Sequence, residues 1–392
     1  MSIYNVVDYG VTADVEQLQT VIIQRVLDMA GNDGGVVQFP AGIYRTGGLN
    51  IHGAMTIQLD KGAVLLGSDN CLDYGTGAWT EAFITGENLS SFRIIGEGTI
   101  DGVDCFNQQG EENFRGPHGI LLANCRQIEI RGITIVRSAN WAIYCHDCVG
   151  ATLDNVTILG GHDGLHTQRC TDFVVKNCDF RTGDDAYAGS DNENFEITNC
   201  QINASCNGLH LGCLNITLQN CRFWAPGEYI HRVSGRTNMF AAICHLSPVD
   251  RNPVKLSGNW LVKDCTAENC DSLYEYNYLD GLWQTGQPVT TIKFENIIAT
   301  GLKIPSIAIG DDAHQLQLTM ENVTLELRDG VEKKEFLNAR KFGTIALHNV
   351  KLKNAGDGPL IVCDDGDSII IDNVKSDNKH PYLFSNVKRI DD

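Results

Sequence analysis

Short stretches of alternating hydrophobic and polar residues recur along this chain at a nearly constant interval. Five consecutive ones read IEIRGITI, ATLDNVTI, FVVKNCDF, FEITNCQI and ITLQNCRF. Their central residues lie 23, 22, 22 and 21 residues apart, at Gly132, Asn155, Asn177, Asn199 and Asn220. Alternation indicates short strands, and a fixed period of this length is typical of a solenoid in which each repeat is one coil. The pattern predicts an all-β parallel solenoid whose coils lie about 4.8 Å apart.

The central Asn residues are assigned to coil corners rather than to function, because Asn tolerates bends and can hydrogen-bond to its neighbour in the next coil. Helical spacing occurs near the N-terminus, where residues 16–30 predict an amphipathic helix that caps the first coil. A gap of 44 residues between Asn220 and Asp264 predicts a coil with a large inserted loop at 227–258. No Pro- or Ser-rich linker follows, so we expect one domain, residues 1–392.

Acidic residues recur at the same place in successive repeats. Eight residues after each centre stand Asn140, Asp163, Asp185, Asn207 and Glu228, and Asp184 precedes Asp185. Two residues further along are Leu165, Tyr187, Leu209 and Ile230, which we expect to point inward. Strand alternation then turns the next positions outward, and these are His166, Ala188, His210 and His231, with Arg232 beside the last. The sequence therefore predicts an outward groove lined by carboxylates and histidines.

Carboxylates about one coil spacing apart suit hydrolysis of a glycosidic bond. One of them must be held protonated as general acid, and a nearby like charge raises a pKa in that way. The others, ionised, can orient a water molecule. Two alternatives remain open: the Gly-Asp sequences are simple turns, or His162, His166 and His210 bind zinc, although no metal-ligand spacing supports the second.

Composition narrows the class of partner. The net charge of −19 disfavours nucleic acid and anionic membranes. No secretion signal or membrane-spanning apolar run is visible, and the 15 cysteines suit buried, reduced thiols, so we expect a cytoplasmic location. Neither a metal nor a cofactor is predicted, and the sequence carries no signal for an oligomeric state.

Several segments resemble glycoside hydrolase family 28, the polygalacturonases and their relatives. They are VVDYGVTAD, GGVVQFPAGIYRTGGL, LDKGAVLLGS, GEGTIDG and SANWAIYCHDCVGATLDNVTI. The resemblance implies a right-handed, single-stranded parallel β-helix that hydrolyses with inversion. Residues 161–164 match the family's NTDG motif and residues 183–185 match its GDD motif. By this resemblance Asp184 is the general acid, and Asp163 and Asp185 hold and deprotonate the water.

Two departures bear on substrate binding. Asn207 stands where the family has a histidine, with His210 nearby, and His231-Arg232-Val233 stands for its RIK motif. Only one fixed cation remains there, and Arg and Lys are not interchangeable in carboxylate recognition. Arg236, in the inserted loop, is a candidate for the missing charge, and Trp283 is a candidate to stack on a sugar ring. The predicted substrate-binding residues are His210, Asn207, His231, Arg232, His166, Arg236 and Trp283.

The sequence thus predicts an inverting glycosidase, with a galacturonic-acid-containing or related pectic oligosaccharide as its partner. The inserted loop and the polar loop 103–118 can close one end of a groove, which favours exo action. The alternatives are a β-helix polysaccharide lyase or epimerase, and a non-catalytic carbohydrate-binding solenoid.

Overall fold

The computed structural model describes residues 2–78, 80–332 and 335–391 and contains two compact units. Unit 1 extends to Asp184 and also includes Tyr229–Gly235, whereas unit 2 consists of Asp185–Glu228 and the chain from Arg236 onward. That a single domain spans 1–392 stays a prediction.

Unit 1 is built from three ladders of short parallel strands, one from each side of the successive coils. The first ladder is Leu49–Ile51, Ala82–Glu87, His118–Ala123, Ile143–His146 and Leu165–Gln168. The second is Ile3–Asn5, Val36–Phe39, Met55–Leu59, Phe92–Gly96, Arg126–Arg131, Val149–Asp154 and Thr171–Lys176. The third is Gly42–Arg45, Ala63–Leu66, Thr99–Asp101, Thr134–Val136, Thr157–Leu159 and Asp179–Thr182.

Unit 2 repeats this arrangement, except that its first two strands, Tyr187–Thr198 and Asn207–Gln219, each run through two ladders. One ladder continues through Ala241–His245, Ser272–Asn277, Ser306–Ile309, Leu337–Arg340, Ile361–Asp364 and Tyr382–Ser385. Another continues through Gly258–Lys263, Thr291–Glu295, Leu316–Glu321, Phe342–His348, Ser368–Asp372 and Lys388–Asp391. The third is Gln201–Ala204, Arg222–Trp224, Thr266–Glu268, Ile298–Leu302, Thr324–Leu327, Lys351–Lys353 and Lys375–Ser376.

The interior of each coil is filled by apolar side chains stacked on their counterparts in the next coil. In unit 1 Ile84, Ile120, Ile143 and Leu165 follow one another in register, and all four are buried. Burial of side chains of this size stabilises the fold by roughly 1.5–3 kcal/mol each, relative to leaving them exposed. The predicted all-β, right-handed parallel β-helix is confirmed, as is the inward position of Leu165.

Asn residues occupy the coil corners in left-handed backbone conformations, as the repeat predicts. Asn177 has φ +56° and its amide donates to Asp154 Oδ1 at 2.8 Å in unit 1. In unit 2 Asn322 has φ +56° and donates to Asn296 Oδ1 at 3.1 Å. Asn is one of the few side chains that adopt this region readily, so these residues serve the corner.

The predicted cap helix exists but is displaced along the sequence, since helix α1 spans Thr20–Asp33. In the loop that precedes it, the Gln19 side chain binds the backbone N–H and carbonyl of Thr12, at 2.7 Å and 2.6 Å. The helix ends late because Gly34, with φ +74°, is the residue that terminates it. Gly31 lies inside α1, where an added Cβ would lie 3.1 Å from Met55. None of the described helices is long and apolar enough to cross a bilayer.

The inserted segment is not one continuous loop. Residues 229–235 belong to unit 1, whereas Ala241–His245 is a strand of the unit 2 ladder and Val249–Arg251 is a short 3-10 turn. The cysteines agree with the predicted structural role, because all fifteen are reduced thiols and all but Cys71 and Cys206 are buried.

Candidate active site

The first predicted catalytic carboxylate, Asp163, is a buried member of unit 1. It precedes the strand Leu165–Gln168, and one of its oxygens lies 2.7 Å from His166 Nδ1. The His166 ring stacks on Trp141 with centroids 3.7 Å apart and planes 5° from parallel. This stacking fixes the ring, so His166 acts as a positioning partner of the Asp163 carboxylate.

Asp184 follows the strand Asp179–Thr182 and faces two basic side chains within unit 1. Its Oδ2 lies 3.3 Å from His231 Nε2 and 3.6 Å from Arg115 Nη2. The segment that carries His231 passes close to Gly183. A side chain at Gly183 would place its Cβ only 2.8 Å from the Ile230 carbonyl oxygen. The glycine before Asp184 therefore allows His231 to reach the carboxylate.

Arg115 is a site residue whose role the sequence analysis missed. It is delivered by the 103–118 loop, is only 6% exposed, and is held by Glu112, whose Oε2 lies 2.6 Å from its Nε. Nothing in the repeat pattern predicts it, because it lies in a loop between strands. The only available signal is a single basic residue close to the acidic pair Glu111-Glu112.

His162 lies beside this group and is buried, 1% exposed. Its ring is 5.6 Å from that of Phe114, and its Nε2 has no hydrogen-bond partner among the described residues. Burial and the positive charge of Arg115 lower its pKa to about 3, so the imidazole is neutral. A neutral, unpaired ring nitrogen can accept or donate one hydrogen bond.

The pKa of Asp184 is not raised, contrary to the expectation for a general acid beside like charges. Burial alone would raise this pKa. The hydrogen bond with His231 and the charges of His231 and Arg115 outweigh burial and lower the pKa to about 2. Basic side chains dominate its surroundings in unit 1, and opposite charges favour the ionised form. In this state Asp184 is a carboxylate.

We expect Arg115→Gln to raise the pKa of Asp184, because it removes one of the charges that stabilise the carboxylate. A general acid acts only when protonated, so the alkaline limb of the pH–rate profile should move to higher pH. Measurement of kcat/KM against pH checks this. Arg45→Gln is the control, since Arg45 pairs with the exposed Asp69. Identical profiles for the two variants would contradict the expectation.

The third carboxylate, Asp185, belongs to unit 2 and is bound on both oxygens. The backbone N–H and the side-chain amide of Asn207 each donate to Oδ1 at 2.8 Å, and His210 Nδ1 lies 2.9 Å from Oδ2. Burial lowers the pKa of His210, but Cys244 and Asp185 raise it well above its ordinary value. His210 is therefore an imidazolium paired with Asp185, and Asn207 supplies two N–H groups to the same carboxylate.

The remaining predicted residues have varied surroundings. In unit 1 Arg232 Nη2 lies 2.7 Å from Asp104 Oδ1. Arg232 is the one cation left at the position of the family's RIK motif, and this aspartate of the 103–118 loop neutralises its charge. In unit 2 Arg236 lies over the ring of Phe240, 5.1 Å from its centroid, and Trp283 is 56% exposed.

The solvent exposure of three predicted residues differs from expectation. His166 and His210 are only 3% and 8% exposed, because aromatic and polar neighbours in their own units cover them. Ile230 does not point into a coil but is 59% exposed, because residues 229–235 have left the strand ladder. The groove predicted as solvent-lined is thus, within each unit, a set of mostly buried polar side chains.

Comparison with known proteins places this geometry in a protein class. Residues 35–219 match the family model Glycosyl hydrolases family 28. A Vitis vinifera protein named "Probable polygalacturonase" is 28% identical over 212 residues, which are 47% of this chain and 43% of that protein. The exo-poly-alpha-D-galacturonosidase of Dickeya chrysanthemi is 32% identical over 117 residues, 26% of this chain and 19% of that protein.

The solved exopolygalacturonase of Thermotoga maritima has the same fold, with a TM-score of 0.69 at 15% identity, covering 90% of this chain and 92% of that one. This chain spans less than half the length of both the Vitis and the Dickeya relatives. The fold and the matches define a β-helical, polygalacturonase-like protein. The match to the family model Glycosyl hydrolases family 28 is confined to residues 35–219.

Proposed function

We propose that this protein is an inverting glycoside hydrolase that acts from the chain end on galacturonic-acid-containing pectic oligosaccharides. Asp184 is the proposed general acid, and Asp163 and Asp185 are the carboxylates that bind and deprotonate the water. The family match at residues 35–219 supports a glycosidase that acts on pectin. The names of the Dickeya and Thermotoga relatives support exo action.

The observation that carries the proposal is the surroundings of Asp184 in unit 1. Its carboxylate lies at hydrogen-bonding or ion-pair distance from His231 and Arg115. Both side chains stabilise the ionised form of Asp184. Asp184 therefore becomes a proton donor only when substrate displaces or neutralises one of them. An incoming uronate carboxylate does this by competing for Arg115 and His231.

Product analysis on oligogalacturonides of defined length tests the proposal. We expect release of short products from one end, with the inverted anomer formed first, as seen by proton NMR immediately after mixing. Products cut from the middle of the chain would contradict exo action. The retained anomer would contradict inversion, and no release of reducing sugar from any pectic oligosaccharide would contradict hydrolysis.

A lyase or epimerase is the second candidate, because Asp184 is ionised and lies next to Arg115. A uronate lyase needs a base beside a cation that neutralises the sugar carboxylate. An unsaturated, ultraviolet-absorbing product that lacks a new water-derived hydroxyl would favour a lyase over hydrolysis.

We propose a cytoplasmic location from the free cysteines, since buried thiols without disulfides suit a reducing compartment. Fractionation of the native host, with the chain detected by antibody, tests this. Recovery with secreted proteins would contradict it.

A further inference from the structure

Residues paired in register across consecutive strands of unit 2 form a row, and one such row on the outer face contains a carboxyl group that the proposed chemistry does not use. In consecutive strands His210 pairs with Cys244, Cys244 with Glu275, and Glu275 with Ile307. The residues on either side of Glu275 in its strand, Tyr274 and Tyr276, are fully buried. Alternation therefore places the Glu275 side chain on the same outer face as His210.

The carboxyl group of Glu275 has no side-chain hydrogen bond or ion pair with any of the residues that the structure describes, although the residue is partly buried. Burial alone raises its pKa to about 7. Partly buried carboxyl groups normally have a partner, because loss of solvation is costly without one. An unpaired one on an outer face is therefore available to a ligand.

A loop of unit 2 brings an aromatic ring to this row. Trp283 is 56% exposed, and its ring centroid lies 6.3 Å from that of His210. Its backbone has φ +56°, an unfavourable region for a bulky residue. Such conformations persist only where the surroundings fix them, and they are common at ligand-binding positions.

The anchor of this loop is Gln284, which is 4% exposed. Its Oε1 accepts from the Asn277 N–H at 2.6 Å, and its Nε2 lies 3.4 Å from Cys244 Sγ. The Trp283 carbonyl accepts from the Ser247 N–H at 2.6 Å. The exposed ring is thus attached to rigid strands at both the carbonyl of Trp283 and the side chain of the next residue.

We infer that Glu275 and Trp283 form a subsite for a neutral, hydroxyl-bearing sugar ring rather than for a uronate. A carboxylate accepts hydrogen bonds from neighbouring hydroxyls, and an indole packs on the apolar face of a sugar. The row that continues from Glu275 through Ile307, Asn338 and Val362 contains no lysine or arginine to bind a uronate. An ionised Glu275 would repel a uronate at this position.

The inference rests on the proposed function, because the neutral sugar would be part of a pectic oligosaccharide. That sugar can lie in the backbone, alternating with galacturonate, or as a side branch. Three probes of equal length separate these cases: a pure oligogalacturonide, an alternating uronate–neutral sugar oligomer, and a galacturonide with one neutral branch.

The test compares kcat/KM for the three probes in the wild type, Glu275→Gln and Trp283→Ala. We expect the wild type to prefer one of the two neutral-sugar probes by about tenfold or more. Glu275→Gln should abolish most of that preference and leave the pure oligogalacturonide unchanged or improved. Trp283→Ala should weaken the preferred probe through KM. Glu196→Gln, the same change at an exposed position of unit 2, is the control.

Thermal melting of each variant identifies loss of folding. For any variant that is folded but has a low kcat, calorimetric binding of the same probes replaces kcat/KM. Equal use of all three probes, or an unchanged preference in Glu275→Gln, would overturn the subsite while leaving the hydrolase intact. No binding or cleavage of any probe by the wild type would overturn both.

Discussion

Replacement of Asp184 by asparagine is expected to reduce hydrolysis of a pectic oligosaccharide by roughly a thousandfold or more. The amide has nearly the same shape but cannot deliver a proton to the leaving oxygen. It also removes the charge that His231 and Arg115 now balance. Initial rates of reducing-sugar release, compared at equal protein concentration, measure the effect.

Asp154→Asn is the matched control, because Asp154 accepts a hydrogen bond at a coil corner of unit 1. It should retain full activity. Oligosaccharide binding by Asp184→Asn should persist, as calorimetry can show. If Asp184→Asn hydrolyses at more than about a tenth of the wild-type rate, the assigned acid is wrong.

The second large effect is expected for His210→Phe, which removes the imidazole that pairs with Asp185. We expect a loss of activity of about a hundredfold, because the carboxylate proposed to bind water loses one of its orienting partners. Removal of one member of a buried ion pair also destabilises the fold, by about 3 kcal/mol. Urea unfolding and steady-state rates measure the two effects.

The stability effect should depend on pH in a defined direction. The folded-state pKa of His210 is well above its ordinary value of 6.5, so the pair stabilises the protein fully below about pH 6.5. That contribution persists through neutral pH and is lost as pH rises through the folded-state pKa. The difference between wild type and variant should therefore narrow in alkali. His348→Phe, at the more exposed pair with Asp372, should show a much smaller difference.

The architecture could be predicted from the sequence because every coil repeats one local rule. Alternation assigns Leu165 to the interior, and the left-handed corner at Asn177 follows from the side chain of Asn itself. Such features depend on a few neighbouring residues, which the repeat places at regular intervals. The inserted segment does not follow the repeat, and the predicted inward position of Ile230 in that segment is wrong.

The surroundings of the carboxylates could be predicted only in part. The positions of Asp163, Asp184 and Asp185 follow from the repeat, but their partners do not. Arg115 comes from a loop whose path depends on tertiary packing, and its charge helps make Asp184 a stronger rather than a weaker acid. Local spacing carries no information about which loop folds over which coil.

The salt bridge between Glu112 and Arg115 has a consequence for how such a protein can diversify. The acidity of Asp184 is thus influenced from a loop outside the repeats, by Arg115 and by the Glu112 side chain that holds it. Substitutions at position 112 can thus change the pKa of Asp184 while the β-helical scaffold and the carboxylates themselves stay the same.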